Sequence, residues 1–289
     1  MTTLSDRAML VSLNISQWTA MKHDRNETSA VTARHSLTTD AARVNKRLLP
    51  NATSLQALHE QTNLIRRDFA ARTLPWLMDG VQILKADAYM DFTTAMRHHQ
   101  DRWQSYVDQF VADYPAHVEN AKHMLGTLFN ANDYPTEREV RAKFCMGLRF
   151  QPVPSIDDWR VDVGDVERER LRRELTEQIV EAEAGAMSAA WKRVHDVVAK
   201  AHERLSQPDA IFRDTLVSNA VELCALLPSL NVLDDPALER TRQELERGLC
   251  KYNVGTLRSD PAVRSEVADK MADIMKKMSG TYAPAKVAA

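Results

Sequence analysis

The chain has 289 residues, a net charge of −2 and only 8 glycines, and these figures exclude several classes of protein. A helix that spans a membrane needs about 20 consecutive apolar residues, and the longest apolar runs, such as 223–227, are far shorter. With 44% hydrophobic residues, the chain is too apolar to be disordered throughout. Because no two glycines are closer than seven positions, the glycine-rich dinucleotide and phosphate loops and the G-x-S-x-G nucleophile elbow are absent.

The cysteines and the N-terminus indicate the compartment. Cys145, Cys224 and Cys250 are odd in number and far apart in the sequence, and no C-x-x-C is present, so neither a zinc knuckle nor a disulfide framework is indicated. Residues 1–16 lack the basic region and continuous apolar stretch of a secretory signal peptide. We therefore expect a reducing, cytoplasmic location. The nearly neutral net charge predicts no general attraction to nucleic acid or to an anionic membrane.

The first part of the chain predicts one strand followed by two helices. Apolar and polar residues alternate over 9–16, which is the pattern of a strand. The pattern is then helical over about 20–49 and stops at Pro50. A second helix is predicted to about Thr73, and 74–80 is predicted to be a connector because it contains a proline and a glycine.

The clearest predicted helix has a seam of aromatic and apolar residues. The spacings between its members alternate between three and four, as in a heptad repeat that turns one face towards a partner helix. The seam residues are Tyr89, Phe92, Met96, His99, Trp103, Tyr106 and Phe110. Such a stripe can also stack the bases of single-stranded nucleic acid, but the flanking charges are mainly acidic. The pattern favours packed core, with His99 as a hydrogen-bonded core histidine.

A second long helix is predicted over about 165–205, where small and apolar residues recur every three or four positions. At 1.5 Å per residue it would be about 60 Å long, and we expect the two long helices to pack antiparallel. Strands predicted near 143–150 and 159–163 are expected to join 9–16 in a small sheet. The predicted fold is mainly α, with a long antiparallel helical hairpin or coiled coil, a small antiparallel sheet and a C-terminal helical cluster.

This pattern predicts two domains and a tail. They are a helical-hairpin domain with the small sheet over 1–206, a C-terminal helical cluster over 207–280 and a frayed tail over 281–289.

Candidate residues for chemistry are few. Glu119 and His123 are four residues apart, a spacing that metal sites use, but the stronger H-E-x-x-H motif is missing. The acidic pairs 157–158 and 234–235 stand beside prolines and are predicted to be loop or cap residues. We therefore predict no catalytic residue, no metal site and no cofactor.

One stretch of the chain is mildly basic. Residues 22–72 contain nine Lys or Arg against five Asp or Glu. Its candidate phosphate-binding residues are Arg43, Lys46, Arg47, Arg66 and Arg67. A solvated helix face explains these residues equally well, so both interpretations stay open.

Six segments of the chain have distinctive sequences: MLVSLNISQW (9–18), NKRLLP (45–50), TLPW (73–76), LGTLF (125–129), DYP (133–135) and FQPVP (150–154). Through these segments, residues 8–165 resemble an uncharacterised family, a domain of unknown function, carried by tailed phages and prophages, which implies a bacterial host cell. The resemblance implies relatives encoded near a MoxR-type AAA+ ATPase and a von Willebrand A-domain protein. It therefore implies a helical accessory subunit of such an assembly, and it transfers no functional residue.

The leading hypothesis is a non-enzymatic phage or prophage adaptor or scaffold. Its expected partner is a protein, either an AAA+ ATPase or a second copy of the chain. The alternative is a nucleic-acid-binding protein of phage replication or recombination that uses the basic stretch 22–72. A third hypothesis is a metal-dependent hydrolase that uses Glu119 and His123.

Overall fold

A computed structural model describes residues 4–38, 41–155, 164–207 and 212–279. Over these residues the protein is mainly helical with a small antiparallel sheet, which confirms the predicted mainly α class. The helices are α1 (Leu4–Arg7), α2 (Arg25–Arg34), α3 (Thr53–Arg72), α4 (Tyr89–Leu125), α5 (Glu137–Arg141), α6 (Asp165–Ser206), α7 (Thr215–Leu230), α8 (Pro236–Leu245), α9 (Val254–Ser259) and α10 (Pro261–Met278). The strands are β1 (Ala8–Ser16), β2 (Met21–His23), β3 (Asn45–Arg47), β4 (Leu74–Pro75), β5 (Val81–Lys85) and β6 (Cys145–Pro152).

Four strands form one sheet in the order β4-β5-β1-β6, and β2 and β3 form a separate pair. β1 runs antiparallel to β5, with Ala8 opposite Lys85 and Ser12 opposite Val81. β1 and β6 lie where the sequence predicts strands. The third predicted strand, at 159–163, is outside the described residues.

The segment after α3 is not the simple connector that the sequence predicts. Leu74 and Pro75 form β4 and pair antiparallel with Ile83 and Gln82 of β5. Gly80, between the two strands, has a φ of +78°, a left-handed conformation that glycine adopts without steric cost. Leu74 is completely buried, so apolar burial stabilises a pairing that the local pattern does not reveal.

The continuous helix predicted over 20–49 is wrong, because β2, α2 and β3 occupy this segment. α2 begins after Asp24, whose carboxylate accepts a hydrogen bond from the backbone N–H of Glu27 at 3.1 Å. None of the residues of α2 is buried. Most helical stability in a protein comes from packing an apolar face, so a helix without one does not extend.

The described residues pack into two compact units, each with its own core. Unit 1 comprises Met1–Ser12, Phe69–Phe92 and Arg149–Ala289, and unit 2 comprises Leu13–Asp68 and Thr93–Leu148. The predicted domain boundary between residues 206 and 207 falls inside unit 1.

The core of unit 1 is built around the C-terminal part of α6. From Ala182 onwards, the apolar side of this helix packs against α7 and α10. Ala186, Ala190 and Ala201 are completely buried, and such small side chains allow a neighbouring helix to approach closely. Asp235 is the N-cap of α8, and its carboxylate accepts a hydrogen bond from the N–H of Ala237 at 2.8 Å, as predicted for the acidic pair 234–235. The pair 157–158 is outside the described residues.

The core of unit 2 lies between α3 and α4. Leu58 and Ile65 of α3 and Phe110 of α4 are completely buried there. Inside this core, the indole Nε1 of Trp103 donates a hydrogen bond to Oγ1 of Thr62 at 2.9 Å. Because this part of α4 packs in one core and α6 packs in another, the predicted antiparallel pairing of the two long helices is not confirmed.

Candidate functional site

The aromatic seam of α4 faces the protein interior. Trp103 and Phe110 of the seam are buried in the core of unit 2, and Met96 is completely buried as well. Tyr106 is half-buried beside them. His99 is also half-buried, and its Nε2 atom lies 3.0 Å from Oδ2 of Asp68. These side chains fill and orient the α3–α4 core, so little of the seam is left as a surface for a ligand.

The first turn of α4 belongs to unit 1. Phe92 is buried there, with its ring centre 5.9 Å from that of Phe69 and 6.3 Å from that of Phe150. Tyr89 is half-buried, 5.4 Å from Phe150 in an edge-to-face arrangement. Five further residues of α4 are buried that a strict seam of threes and fours omits. They are Thr93, Val107, Val111, Tyr114 and Ala121. They could have been found from the usual width of a core-facing stripe, which is broader than a coiled-coil seam.

Lys46, one of the candidate phosphate-binding residues, points into unit 2. Only 11% of its side chain is exposed, and its Nζ lies 2.7 Å from Oδ2 of Asp133 and 3.5 Å from Oδ2 of Asp24. It also donates a hydrogen bond to the carbonyl oxygen of Leu128 at 3.0 Å. Lys22 reaches the other oxygen of Asp133 at 2.5 Å. The charge of Lys46 is therefore already balanced within the protein.

The pKa values of this cluster follow from its geometry. Burial acts to raise the pKa of the Asp133 carboxyl, but hydrogen bonds from Lys22 and Lys46 outweigh it and hold the pKa below its usual range. The hydrogen bond to Asp133 raises the pKa of the Lys46 ammonium, although burial opposes the shift. Each charged form stabilises the other, so the cluster is a structural ion-pair network.

The other four candidate phosphate-binding residues are exposed: Arg43, Arg47, Arg66 and Arg67. Arg66 donates a hydrogen bond to the carbonyl oxygen of Ile15 at 3.2 Å. Within the part of the chain that the structure describes, Arg43, Arg47 and Arg67 make no ion pair. Three guanidinium groups of the predicted set are thus directed to solvent.

The most unusual surface is the N-terminal part of α6. We call residues 165–181 the α6 extension, because none of them is buried, whereas burial along α6 begins at Ala182. The apolar stripe that α6 buries further along continues through Ile179, Leu175 and Leu171, which are only half-buried. At 1.5 Å per residue the α6 extension is about 25 Å long. It therefore extends a core-facing stripe beyond the core.

Charges are unevenly distributed along this part of α6. Residues 168–173 contain four arginines and one glutamate, whereas residues 177–182 contain two glutamates and no lysine or arginine. Ion pairs within the helix join Arg170 to Glu167 at 2.5 Å and to Glu174 at 3.5 Å. Pairs of this kind on an exposed helix contribute little to stability. The segment thus has a basic part and an acidic part beside one apolar stripe.

Sequence reasoning also missed a basic cavity in unit 1. Its volume is about 230 Å³, and its basic lining residues are Lys200, Arg204 and Arg213. No carboxylate is among its lining residues in the described part of unit 1. Lys200 and Arg204 share one helix face because they are four residues apart, but nothing in the local sequence brings Arg213 to them.

Glu119 and His123 lie on the surface of α4. Their side chains are 62% and 77% exposed, and Nε2 of His123 is 3.6 Å from Oε1 of Glu119. In residues 4–38, 41–155, 164–207 and 212–279 no three His, Cys, Asp or Glu side chains form a group that could hold a metal ion. A helix that crosses a membrane must be long and apolar, and none of the described helices is both. Comparisons of the chain with protein-family models, with curated proteins and with solved structures found no match.

Proposed function

We propose that this protein is a non-enzymatic protein-interaction scaffold and that the α6 extension is its docking surface. One observation carries the proposal: 17 residues of helix, 165–181, continue the buried stripe of α6 without burying any residue. Most helical stability in a protein comes from packing an apolar face, and this part of α6 buries none of its residues. Covering Leu171, Leu175 and Ile179 would therefore stabilise both the segment and the complex.

The partner that best fits the α6 extension is a second copy of the chain, packed antiparallel. If two copies cross at Leu175, residues 168–173 of one chain lie opposite residues 177–182 of the other. The arginine-rich part then faces the glutamate-rich part in both halves of the interface, as a two-fold symmetric contact requires. A parallel pair would instead place arginines beside arginines, which is unfavourable.

The same proposal makes this protein an accessory subunit of a MoxR-type AAA+ ATPase assembly. The resemblance of residues 8–165 to the phage and prophage family supports this part of the proposal. A symmetric dimer would present two copies of each remaining surface to such a partner, and paired contacts increase the overall affinity.

The direct test is the molar mass of the purified protein in solution, measured by size-exclusion chromatography with light scattering. We expect a dimer, and we expect the double variant Leu171→Glu, Leu175→Glu to be monomeric. Val180→Glu is the matched control, because Val180 is 58% exposed and lies on the opposite side of α6. A monomeric wild-type protein at all accessible concentrations would rule out the second copy as the partner.

A charge-reversal series tests the antiparallel arrangement. Arg168→Glu with Arg172→Glu, both on the side of α6 that carries the apolar stripe, removes the attraction to the carboxylates of the other copy and should weaken the dimer. Adding Glu183→Arg, on the same side, to that chain restores an opposite charge beside residue 168 of the other copy and should restore the dimer. In a parallel dimer the first pair of substitutions would relieve repulsion and strengthen association. The two arrangements therefore give opposite results.

Binding to nucleic acid is the second candidate function. It is favoured by the exposed Arg43, Arg47 and Arg67, and by the basic cavity in unit 1. Phosphate contacts need cations that are not already paired within the protein, and these three arginines make no ion pair with any residue that the structure describes. We rank it second because Lys46, at the centre of the predicted basic set, is paired with Asp24 and Asp133.

A further inference from the structure

Two cysteines that are far apart in the sequence touch each other in unit 1. Cys224 lies on α7, and Cys250 ends a π-helical turn that follows α8, Glu246–Cys250. Their Sγ atoms are 3.8 Å apart. The third cysteine, Cys145, is exposed. The chain thus contains one pair of thiols in contact, which the sequence alone does not indicate.

The two thiols differ in accessibility and acidity. Cys224 is buried, with its Sγ also 3.8 Å from the carbonyl oxygen of Arg242, whereas Cys250 is half-buried. The hydrogen bond from the Cys224 thiol lowers the pKa of Cys250, although burial opposes the shift. The same contact and burial raise the pKa of Cys224. Cys250 is therefore the better nucleophile of the two, because the thiolate is the reactive form.

We propose that Cys224 and Cys250 form a reversible intramolecular disulfide when the protein is oxidised by hydrogen peroxide. The Cys250 thiolate attacks one peroxide oxygen, the O–O bond breaks, and the leaving hydroxide takes up a proton to become water. The resulting sulfenic acid is then attacked by the sulfur of Cys224, which loses its proton as the S–O bond breaks and a second water leaves. In sum, the two thiols together lose two electrons and two protons, and one molecule of hydrogen peroxide accepts them and becomes two molecules of water.

The local backbone suits this reaction. A disulfide needs an S–S distance of about 2.05 Å, so the sulfur atoms must approach from 3.8 Å. Cys250 lies in a π-helical turn, a local irregularity that is common at functional sites. Gly248 in the same turn lies against α10, since a Cβ atom there would be 3.0 Å from Cε of Met271. A shift of this turn on oxidation would therefore also displace α10, which packs on α6.

The test uses the full chain with Cys145→Ser, so that the two remaining thiols are Cys224 and Cys250. Native protein is titrated with hydrogen peroxide, and free thiols and intact mass are followed. We expect both thiols to be lost together, a tryptic peptide that links residues 224 and 250, and full recovery with dithiothreitol. The proposal is overturned if both thiols survive peroxide doses that oxidise Cys145 in the wild-type chain. It is also overturned if Cys250 gains two or three oxygen atoms without a cross-link.

Two single variants in the same background test the order of the steps. With Cys224→Ser, the sulfenic acid of Cys250 has no partner and should be trapped by dimedone. With Cys250→Ser, the buried Cys224 should remain a free thiol at the same dose. Trapping at Cys224 in place of Cys250 would reverse the assigned order. The cross-link measurement itself does not depend on these variants.

Discussion

The Nζ atom of Lys46 lies 2.7 Å from Oδ2 of Asp133, and this contact joins β3 to the chain that follows α4. Both side chains are largely buried, with 11% and 4% of their surfaces exposed. Buried charges are tolerated when they are paired and hydrogen-bonded, and Asp24, Lys22 and the carbonyl oxygen of Leu128 complete the set. A lysine in a basic stretch is thus part of the framework of unit 2.

Removing Lys46 should destabilise unit 2 strongly. Lys46→Met leaves Asp133 with Lys22 as its remaining ion-pair partner within the described residues, and loss of one partner of a buried pair costs about 3 kcal/mol or more. The free energy of unfolding, measured by circular dichroism in urea, checks this. Arg47→Met is the matched control, because Arg47 is the neighbouring exposed cation. Equal losses of unfolding free energy in the two variants would contradict the claim that Lys46 belongs to a buried ion-pair network.

The same ion-pair network predicts that the free energy of unfolding depends on pH in the acidic range. The pKa of Asp133 is below its unfolded value of about 3.9 in the folded protein. Its contribution is therefore fully present above that unfolded value and is lost as the pH falls through the lower folded pKa. Unfolding free energies from about pH 5 to about pH 2 should fall less steeply in Asp133→Asn than in the wild type. Parallel pH profiles would show that Asp133 does not titrate in this way.

At high pH, Lys46 makes the stability of the protein change with pH in the opposite direction. Its pKa is raised in the folded state, so its contribution is present below the unfolded value of about 10.4 and is lost as the pH rises through the folded pKa. Wild type should lose stability in this alkaline range, and Lys46→Met should lack that loss. A tyrosine or cysteine titration would affect both proteins equally and would not separate them.

Arg193 should stabilise the C-terminal end of α3 in unit 1. Its guanidinium donates hydrogen bonds to the carbonyl oxygens of Ala70, Ala71 and Thr73 at 2.9, 2.9 and 2.7 Å. These are carbonyls at a helix end, where a cation is favourable. Arg193→Lys keeps the charge but loses the planar fork, so we expect a loss of about 2 kcal/mol in thermal unfolding. Lys192→Gln, at an exposed neighbouring position, should change stability by less than about 0.5 kcal/mol.

The ranking of the two candidate functions is tested by gel shift. We expect no complex with single- or double-stranded DNA at low salt, where phosphate contacts are strongest. A complex that weakens with salt would favour the second function. Arg43→Glu, Arg47→Glu and Arg67→Glu together, compared with Lys200→Glu and Arg204→Glu, would then assign it to unit 2 or to the basic cavity of unit 1.

The sequence predicts some elements well for clear physical reasons. Spacings of three and four place Trp103 and Phe110 on one helix face, and both are buried in α4. Alternation over 9–16 predicts β1 for the same reason, since side chains of a strand alternate between faces. The helix predicted over 20–49 is wrong. The prediction depended on the scarcity of helix-breaking residues, but no apolar face stabilises a long helix there. The absence of helix breakers is therefore weaker evidence for a long helix than a stripe of apolar residues that can be buried.

The sequence by itself determined the mainly α class, because scarce glycine and sustained helical spacing favour long helices. It also determined that the α4 seam is apolar and that α6 has a continuous stripe. Only the tertiary structure decided that Lys46 points inward while Arg47 points to solvent, that Cys224 meets Cys250, and that the stripe of α6 continues beyond its core at Ala182. The physical reason is that periodicity is a local property, whereas burial and pairing depend on residues that are distant in the chain.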